Sequence, residues 1–162
     1  MAKVRVAVVC TGNICRSPMA EVALRHLVEG DEALCGRVEV TSAGTASWHV
    51  GEAMDPRARR ALDRAGLTGG GSPAAFADRS YLNRHDVVVV MTREHRRDVR
   101  RRLTNGRTEV VLLRNLIEPG CELDLADPYY GDDHEFDDCL EVLLAGGRRL
   151  TFELKRRRKD GG

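Results

Sequence analysis

Short runs of β-branched and apolar residues recur at four places along the chain. They cover residues 3–9, 38–42, 86–91 and 109–113, and the first and third end almost wholly apolar. Runs of this kind are typical of strands in a parallel sheet that is covered on both faces. The pattern therefore predicts four strands, of which at least the first and third are buried.

Segments with helical spacing follow these runs. Ser17 is predicted to cap a helix and Pro18 to occupy its first position, since apolar side chains then recur on one face as far as Val28. Further helices are predicted at residues 56–65 and 93–103. Helices thus separate the strands along the chain.

The C-terminal part of the sequence predicts a loop and a closing helix. Pro119 and Pro128 mark the loop, and apolar residues at helical spacing extend from Phe136 to Leu154. The pair Gly146–Gly147 is expected to weaken this helix in the middle.

Alternating strands and helices predict an α/β fold. The expected form is a three-layer sandwich, in which helices cover both faces of a central four-stranded parallel sheet. In such sheets ligands bind at the carboxyl ends of the strands. We therefore look for chemistry first in the loop after the first strand, which begins at Cys10.

The composition restricts the classes of function. A length of 162 residues suits one core, and 26 basic against 25 acidic residues give a net charge of +1. No overall field then draws the protein to nucleic acid or to a membrane. The apolar N-terminal run is too short for a signal peptide or a membrane span. We expect a cytoplasmic monomer that binds neither nucleic acid nor membrane.

Two stretches of the sequence are rich in arginine and could indicate binding of nucleic acid. They cover residues 96–102 and 155–159. No aromatic residues interleave with them, as they would in a surface that stacks nucleic-acid bases. Solvated helix faces and a basic tail are the simpler interpretation. Attraction of acidic phosphoproteins is the alternative.

Five cysteines, an odd number, argue against a disulfide scaffold. The histidines are dispersed, and no group of Cys and His has the spacing of a zinc site. We therefore expect reduced thiols and neither a metal nor a cofactor.

The loop after the first strand contains a cysteine and an arginine six positions apart, Cys10 and Arg16. Such a pair arises readily by chance, but this one lies at a strand-to-helix turn, where backbone N–H groups and the helix dipole bind anions. Gly12 and Asn13 tolerate positive φ angles, so the N–H groups can curl around a phosphate. Arg16 can then hold two of its oxygens.

The positive surroundings also favour a thiolate at Cys10, a nucleophile in line with the bound phosphorus. Ser17 can donate its hydroxyl to the sulfur. A buried structural thiol is the alternative interpretation of Cys10.

A displacement by thiolate also needs an acid that protonates the leaving oxygen. Asp127 precedes Pro128, which favours an extended backbone and projects the carboxyl group from its loop. The same carboxylate can later activate water. An ordinary Asp-Pro turn is the alternative.

The two motifs, CTGNICRSPMAE at residues 10–21 and DPYYG at 127–131, resemble those of the low-molecular-weight protein tyrosine phosphatases, and the chain length matches as well. The resemblance implies hydrolysis of phosphotyrosine and small aryl phosphates through a phosphocysteine intermediate. It makes Cys10 the nucleophile, Arg16 the phosphate clamp and Asp127 the general acid and base. The implied partners are tyrosine-phosphorylated proteins, with phosphate or another oxyanion bound in the loop.

The resemblance also implies supporting residues. The loop and its support comprise Thr11, Gly12, Asn13, Ile14, Cys15, Ser17 and Ser42, with Asn13 organising the loop and Ser42 bonded to it. The aromatic walls of a phosphotyrosine slot comprise Trp48, Tyr129 and Tyr130. For Trp48, a large side chain in a partly buried loop is the alternative.

The implied phosphatase domain covers residues 1–154, and residues 155–162 form a basic C-terminal tail. One segment departs from the family pattern. Members usually carry a His-x-Ala-Arg-like sequence after the second helix, whose histidine braces the loop asparagine, and here Ser72–Ala75 stands in that stretch. We expect a weaker brace for Asn13.

Two related families and a binding protein are alternatives. Arsenate reductases with a similar loop need two further cysteines near residues 80–92, where this chain has none. Protein arginine phosphatases usually have a threonine at the position of Ile14, whose alkyl chain offers a guanidinium group no hydroxyl. A phosphate-binding module without catalysis would not need nucleophile, clamp and acid together.

Overall fold

Four parallel strands form the centre of the molecule in a computed structural model that describes residues 2–161. The strands are β1 (Val4–Cys10), β2 (Val38–Gly44), β3 (Val87–Val90) and β4 (Glu109–Leu112). Their order across the sheet is β2-β1-β3-β4, and every neighbouring pair is parallel. The predicted fold class and the four strands are confirmed.

Six helices connect or flank the strands in the described part of the chain. They are α1 (Arg16–Glu29), α2 (Pro56–Arg64), α3 (Arg79–Asn83), α4 (Arg93–Arg102), α5 (Leu113–Ile117) and α6 (Asp133–Gly161). A short 3₁₀ helix covers Pro128–Tyr130. No helix within residues 2–161 is long and apolar enough to cross a membrane.

The two faces of the sheet have separate cores, because successive side chains of a strand point to opposite faces. Val6 and Val8 of β1 belong to the core that β1 forms with α1, α2 and α6. Ala7 and Val9 belong to the smaller core under α3 and α4. Both layers therefore fix β1, so that the loop after it starts from a rigid strand.

The register of β1 and β2 brings their carboxyl ends together. Cys10 pairs with Gly44, the last residue of β2. A Cβ atom at Gly44 would lie 2.4 Å from the backbone oxygen of Thr11, so only glycine fits beside this loop. The candidate site thus lies at the middle of the carboxyl edge, as predicted.

The start of α1 differs from the prediction. The helix begins at Arg16 with Cys15 as its N-cap, and no side chain caps it. The prediction of Ser17 as the cap is wrong, because its hydroxyl bonds the sulfur of Cys10 and the amide of Asn13 instead.

The closing helix is longer than predicted and is not interrupted at Gly146–Gly147. A Cβ atom at Gly147 would lie 2.9 Å from Cδ1 of Leu27, and one at Gly146 would lie 2.6 Å from Cδ1 of Leu113. The two glycines therefore allow close packing of α6 on α1 and α5. Residues 155–161 of the predicted basic tail continue α6, whereas residues 1 and 162 lie outside the described range; the domain division at 154 stays a prediction.

Candidate active site

The loop that follows β1 turns sharply at Asn13, whose φ angle is 58°. Asparagine tolerates this left-handed conformation better than most residues do. Backbone hydrogen bonds tie the loop to its neighbours, from the N–H of Thr45 to the oxygen of Cys10 (2.9 Å) and from the N–H of Asp55 to the oxygen of Ile14 (2.8 Å). The turn is thus held at both ends.

Gly12 contributes its small size to the loop. A positive φ angle was expected at Gly12 and at Asn13. Of these two residues only Asn13 has one. A Cβ atom at Gly12 would lie 3.0 Å from Cδ2 of His49. His49, which the sequence did not single out, is held by a contact of 2.6 Å between its Nδ1 and Glu52.

A chain of hydrogen bonds leads from Asn13 to the sulfur of Cys10. Nδ2 of Asn13 donates to the hydroxyls of Ser17 (2.7 Å) and Ser42 (3.0 Å), and its Oδ1 accepts from the N–H of Ala75 (2.9 Å). Because Ser17 Oγ accepts from Asn13, its own proton points elsewhere, and the Sγ of Cys10 at 3.0 Å is a nearer acceptor than the backbone oxygen of Ala43 at 3.5 Å. The network therefore presents a hydrogen-bond donor to that sulfur.

Arg16 is buried at the start of α1. Its Nη1 donates to the backbone oxygen of Leu125 at 2.9 Å, and its Nη2 lies 3.3 Å from Oδ2 of Asp127. Its Nε has no hydrogen-bond partner among residues 2–161. A buried guanidinium N–H needs an acceptor, so this group is suited to holding an oxyanion.

Asp127 has the extended backbone that its proline neighbour predicts, with φ −76° and ψ 119°. Its Oδ1 accepts from the N–H of Tyr129 at 3.0 Å. The side chain is 43% exposed. Its carboxyl group can therefore meet a ligand.

A cavity of about 260 Å³ opens above the loop. Its lining comprises Cys10, Thr11, Gly12, Ile14, Cys15, Arg16, Trp48, His49, Asp127, Tyr129 and Tyr130. The tyrosine rings meet edge to face, with centroids 5.0 Å apart. The predicted residues that do not line it, Asn13, Ser17 and Ser42, are buried. The geometry brings a thiol, a guanidinium group and a carboxyl group into one aromatic-walled slot.

Comparison with protein families identifies the chain. Residues 5–160 match the model of the family described as "Low molecular weight phosphotyrosine protein phosphatase". The chain belongs to this family. It is therefore a hydrolase of the low-molecular-weight protein-tyrosine-phosphatase class, and its class of substrate is phosphoproteins.

Individual relatives agree with the family match. A low molecular weight protein-tyrosine-phosphatase of Streptomyces coelicolor is 44% identical over 156 residues, 93% of either chain. The low molecular weight protein-tyrosine phosphatase A of Mycobacterium tuberculosis is 41% identical over 145 residues, 85% of this chain and 83% of that one. Both likenesses span most of either protein.

Solved structures share the fold. The crystal structure of YfkJ from Bacillus subtilis has a TM-score of 0.84 at 28% identity and covers 97% of this chain and 98% of that one. The YwlE arginine phosphatase from Geobacillus stearothermophilus also has a TM-score of 0.84, at 25% identity, and covers 98% of this chain and 97% of that one. The chain thus shares its fold with a protein that is named an arginine phosphatase.

Glu21 is a residue of this phosphatase that sequence reasoning missed, although it lies within the first motif. Its fully buried carboxylate accepts from the hydroxyls of Ser42 and of Ser72 (3.1 Å) and pairs with Arg25 (3.1 Å). Ser72 lies in the segment where the family pattern has its histidine. Glu21 therefore braces Asn13 through the hydroxyl of Ser42, and the hydroxyl of Ser72 holds the other oxygen of the carboxylate. The acid and base four residues apart on α1 were the available signal.

Arg57 also escaped sequence reasoning. Its guanidinium lies 5.3 Å from the ring centroid of Tyr129 and 4.7 Å from that of Phe136, and it donates to the oxygen of Gly131 at 3.1 Å. Its hydrogen bond to Asp55 lowers the pKa of that carboxyl group. Arg57 thus joins the start of α2 to the aromatic wall of the phosphatase site.

Two further thiols lie near the site. Burial, followed by the charges of Asp55 and Asp127, raises the pKa of Cys15 far above its usual value. Burial raises the pKa of Cys139 to about 12. Both side chains therefore stay protonated at neutral pH.

The arginine-rich stretches make ion pairs within the chain. Arg96 lies 2.7 Å from Glu122, which lowers the pKa of that glutamate to about 2. Arg157 lies 2.7 Å from Glu109. Part of the positive charge is thus neutralised internally, and the absence of nucleic-acid binding stays a prediction.

Proposed function

We propose that this phosphatase hydrolyses phosphotyrosine in proteins through a phosphocysteine intermediate. Cys10 is the nucleophile, Arg16 is the phosphate clamp, and Asp127 is the general acid and then the general base. The observation that carries this proposal is the meeting of these three side chains in one cavity, with the hydroxyl of Ser17 3.0 Å from the sulfur of Cys10.

In the first step the thiolate of Cys10 attacks phosphorus, a sulfur–phosphorus bond forms, and the bond from phosphorus to the tyrosyl oxygen breaks. Asp127 gives its proton to that oxygen, so that tyrosine leaves as a neutral phenol. The buried guanidinium of Arg16 and the N–H groups at the start of α1 stabilise the charge on the transferred group.

In the second step a water molecule attacks the phosphocysteine. The carboxylate of Asp127 takes a proton from this water, the sulfur–phosphorus bond breaks, and inorganic phosphate leaves. The sulfur of Cys10 departs with the electron pair. The hydroxyl of Ser17 supports this departure, because its proton is not used by Asn13.

The walls of the cavity support an aryl ester as the substrate. Tyr129, Tyr130 and Trp48 offer ring surfaces to a phenyl ring. Ile14 also lines the cavity and provides no hydroxyl for a guanidinium group. Both features favour phosphotyrosine over phosphoarginine.

The test is the hydrolysis of matched peptides that carry phosphotyrosine, phosphoserine or phosphoarginine. The measurement is the rate at which each peptide releases inorganic phosphate. Wild-type protein should act on the first peptide and far less on the others. Cys10→Ser should abolish turnover, since a hydroxyl is a much weaker nucleophile. Asp127→Ala should lower kcat by about 10²- to 10⁴-fold.

Trapping distinguishes the mechanism from its alternatives. Rapid acid quenching of the wild-type reaction should retain phosphate on Cys10. A preference for the phosphoarginine peptide would overturn the assigned substrate. Phosphate binding without any turnover would show that the protein is a phosphate-binding module and not an enzyme.

A further inference from the structure

The side chain of Thr11 makes a contact that the proposed reaction does not use. This residue follows Cys10 directly and lines the cavity. Its Oγ1 lies 2.7 Å from Nε2 of His95, although 84 positions separate the two residues. His95 lies in the first turn of α4, which follows β3 and thus starts beside the loop after β1. The fold therefore places a histidine against the wall of the loop.

The imidazole of His95 is uncharged at neutral pH. Only 3% of the residue is exposed. Burial, and then the positive charge of Arg16, lowers its pKa to about 4. A neutral imidazole has one N–H group and one nitrogen lone pair.

The surroundings of the ring decide which nitrogen holds the proton. Nδ1 of His95 is buried and has no hydrogen-bond partner within residues 2–161. A proton there would create a buried N–H group without an acceptor, which is rarer in proteins than an acceptor without a donor. A proton on Nε2 instead donates to the hydroxyl oxygen of Thr11. The second arrangement is the favoured one.

The direction of this hydrogen bond sets the direction of the next. If Nε2 of His95 were the acceptor, the hydroxyl of Thr11 would donate its proton to the imidazole ring and could not donate it elsewhere. Because Nε2 donates, Oγ1 accepts, and the proton of Thr11 remains available to another acceptor. The acceptors that catalysis brings into this cavity are the oxygens of the phosphoryl group.

We propose that His95 is a positioning residue that directs the hydroxyl proton of Thr11 toward the phosphoryl group in the loop. Thr11 thereby adds a side-chain hydrogen bond to those of the backbone and of Arg16. The inference rests on the proposed function, since that function supplies the phosphoryl group.

A double-mutant cycle on binding tests the inference. The variants are Thr11→Val, His95→Phe and the pair combined, and the measurement is the Kd of inorganic phosphate by calorimetry. Each single change should raise Kd about tenfold, since a hydrogen bond to a charged group is lost. The combination should be no worse than either single change, because the two residues act as one unit.

Conservative variants separate positioning from mere packing. Thr11→Ser keeps the hydroxyl and should recover most of the affinity that Thr11→Val loses. His95→Gln has an amide nitrogen near the place of Nε2 and should recover part of the loss in His95→Phe. Thr104→Val, the same change at an exposed threonine, is the matched control and should leave Kd unchanged.

Three results would overturn the inference. They are a wild-type Kd in Thr11→Val, full additivity in the double variant, and no recovery in His95→Gln. Should His95→Phe fail to fold, His95→Gln takes its place in the cycle with Thr11→Val, with a smaller expected rise in Kd and the same absence of additivity. Phosphate binding needs no turnover, so the cycle is decisive even if phosphotyrosine is not hydrolysed, which would refute the proposed function separately.

Discussion

The guanidinium of Arg16 contacts Asp127 at 3.3 Å and, through its other nitrogen, the backbone oxygen of Leu125 at 2.9 Å. Leu125 in turn donates its N–H to the oxygen of Met91, the residue after β3. The candidate phosphate clamp and the candidate acid are therefore positioned by the same loop, and the sheet fixes that loop. A change at Arg16 should disturb both groups.

Arg16→Lys should lower kcat/KM for a phosphotyrosine peptide by about 10²- to 10³-fold, the usual loss when one donor to a developing anion is removed. Lysine keeps the charge but cannot contact Leu125 and the ligand with a planar fork. Steady-state kinetics at substrate concentrations from well below to well above KM give kcat/KM and check this result.

The double variant Arg16→Lys with Asp127→Ala is the control for the shared loop. If Arg16 also positions the acid, the double variant should lose less than the product of the two single losses. Simple multiplication of the two losses would contradict the coupling.

Asn13 combines a left-handed backbone with an amide that orders two serines, and two variants separate these contributions. Asn13→Gly keeps the backbone accessible and loses only the amide, so kcat should fall by about tenfold to 10²-fold through misplacement of the Cys10 loop. Asn13→Ala loses the amide and strains the backbone, so it should also be less stable by about 1 kcal/mol.

Kinetics and urea unfolding of the same two proteins check both statements. Equal stability of the glycine and alanine variants would contradict the assigned role of the φ angle of 58°. Unchanged kcat in Asn13→Gly would contradict the role of the amide.

The sequence was sufficient to predict the sheet, because its strands are continuous β-branched runs such as the four valines of β3. It did not predict α3 and α5, which have five residues each and too few positions for a helical period. It misplaced the start of α1, since Ser17 is a typical capping residue by local rules and is used here by a tertiary contact. Local patterns cannot show which of two hydrogen bonds a hydroxyl makes.

Residues of the candidate site were predicted where a motif gave them a role, even at the distance of Asp127, and were missed where no motif did. Residues 10–17 form one contiguous segment, from the end of β1 to the first turn of α1, and all were named as candidates. Glu21 contacts Ser72 across 51 positions, and Thr11 contacts His95 across 84. The spacing of Glu21 and Arg25 indicates an ion pair but not the full burial of the carboxylate, and an isolated histidine gives no sign of its partner.

Glu21→Gln tests the hydroxyl brace that stands in the place of the family's histidine. The amide would present a donor to Ser42 or Ser72, which themselves donate to Glu21, and would remove the charge that faces Arg25. The variant should lose about 3 kcal/mol of unfolding free energy, as expected when one member of a buried charged group is removed. It should also lower kcat, because Ser42 no longer orients Asn13.

Arg25→Gln is the matched comparison on the same helix. The Arg25 side chain is 37% exposed, whereas that of Glu21 is not exposed at all, so the arginine variant should be the more stable of the two by urea unfolding. A smaller loss in Glu21→Gln than in Arg25→Gln would show that the carboxylate is not the centre of the brace.

His95 should make the stability of the protein depend on pH. Its pKa is about 4 in the folded protein against a usual value of 6.5. Between these two values the unfolded chain binds more protons than the folded one, so stability falls as pH decreases through this range. The full loss is about 3 kcal/mol. Burial also lowers the pKa of His85, which acts in the same direction.

Urea unfolding of the wild type and of His95→Gln at a series of pH values checks this prediction. Above pH 6.5 the two unfolding free energies should run parallel, because His95 is then neutral in both states. Below it the wild type should lose stability more steeply, since glutamine does not titrate, and the difference between the proteins should narrow as pH approaches 4. A constant difference across this range would mean that His95 is not held neutral by its burial beside Arg16.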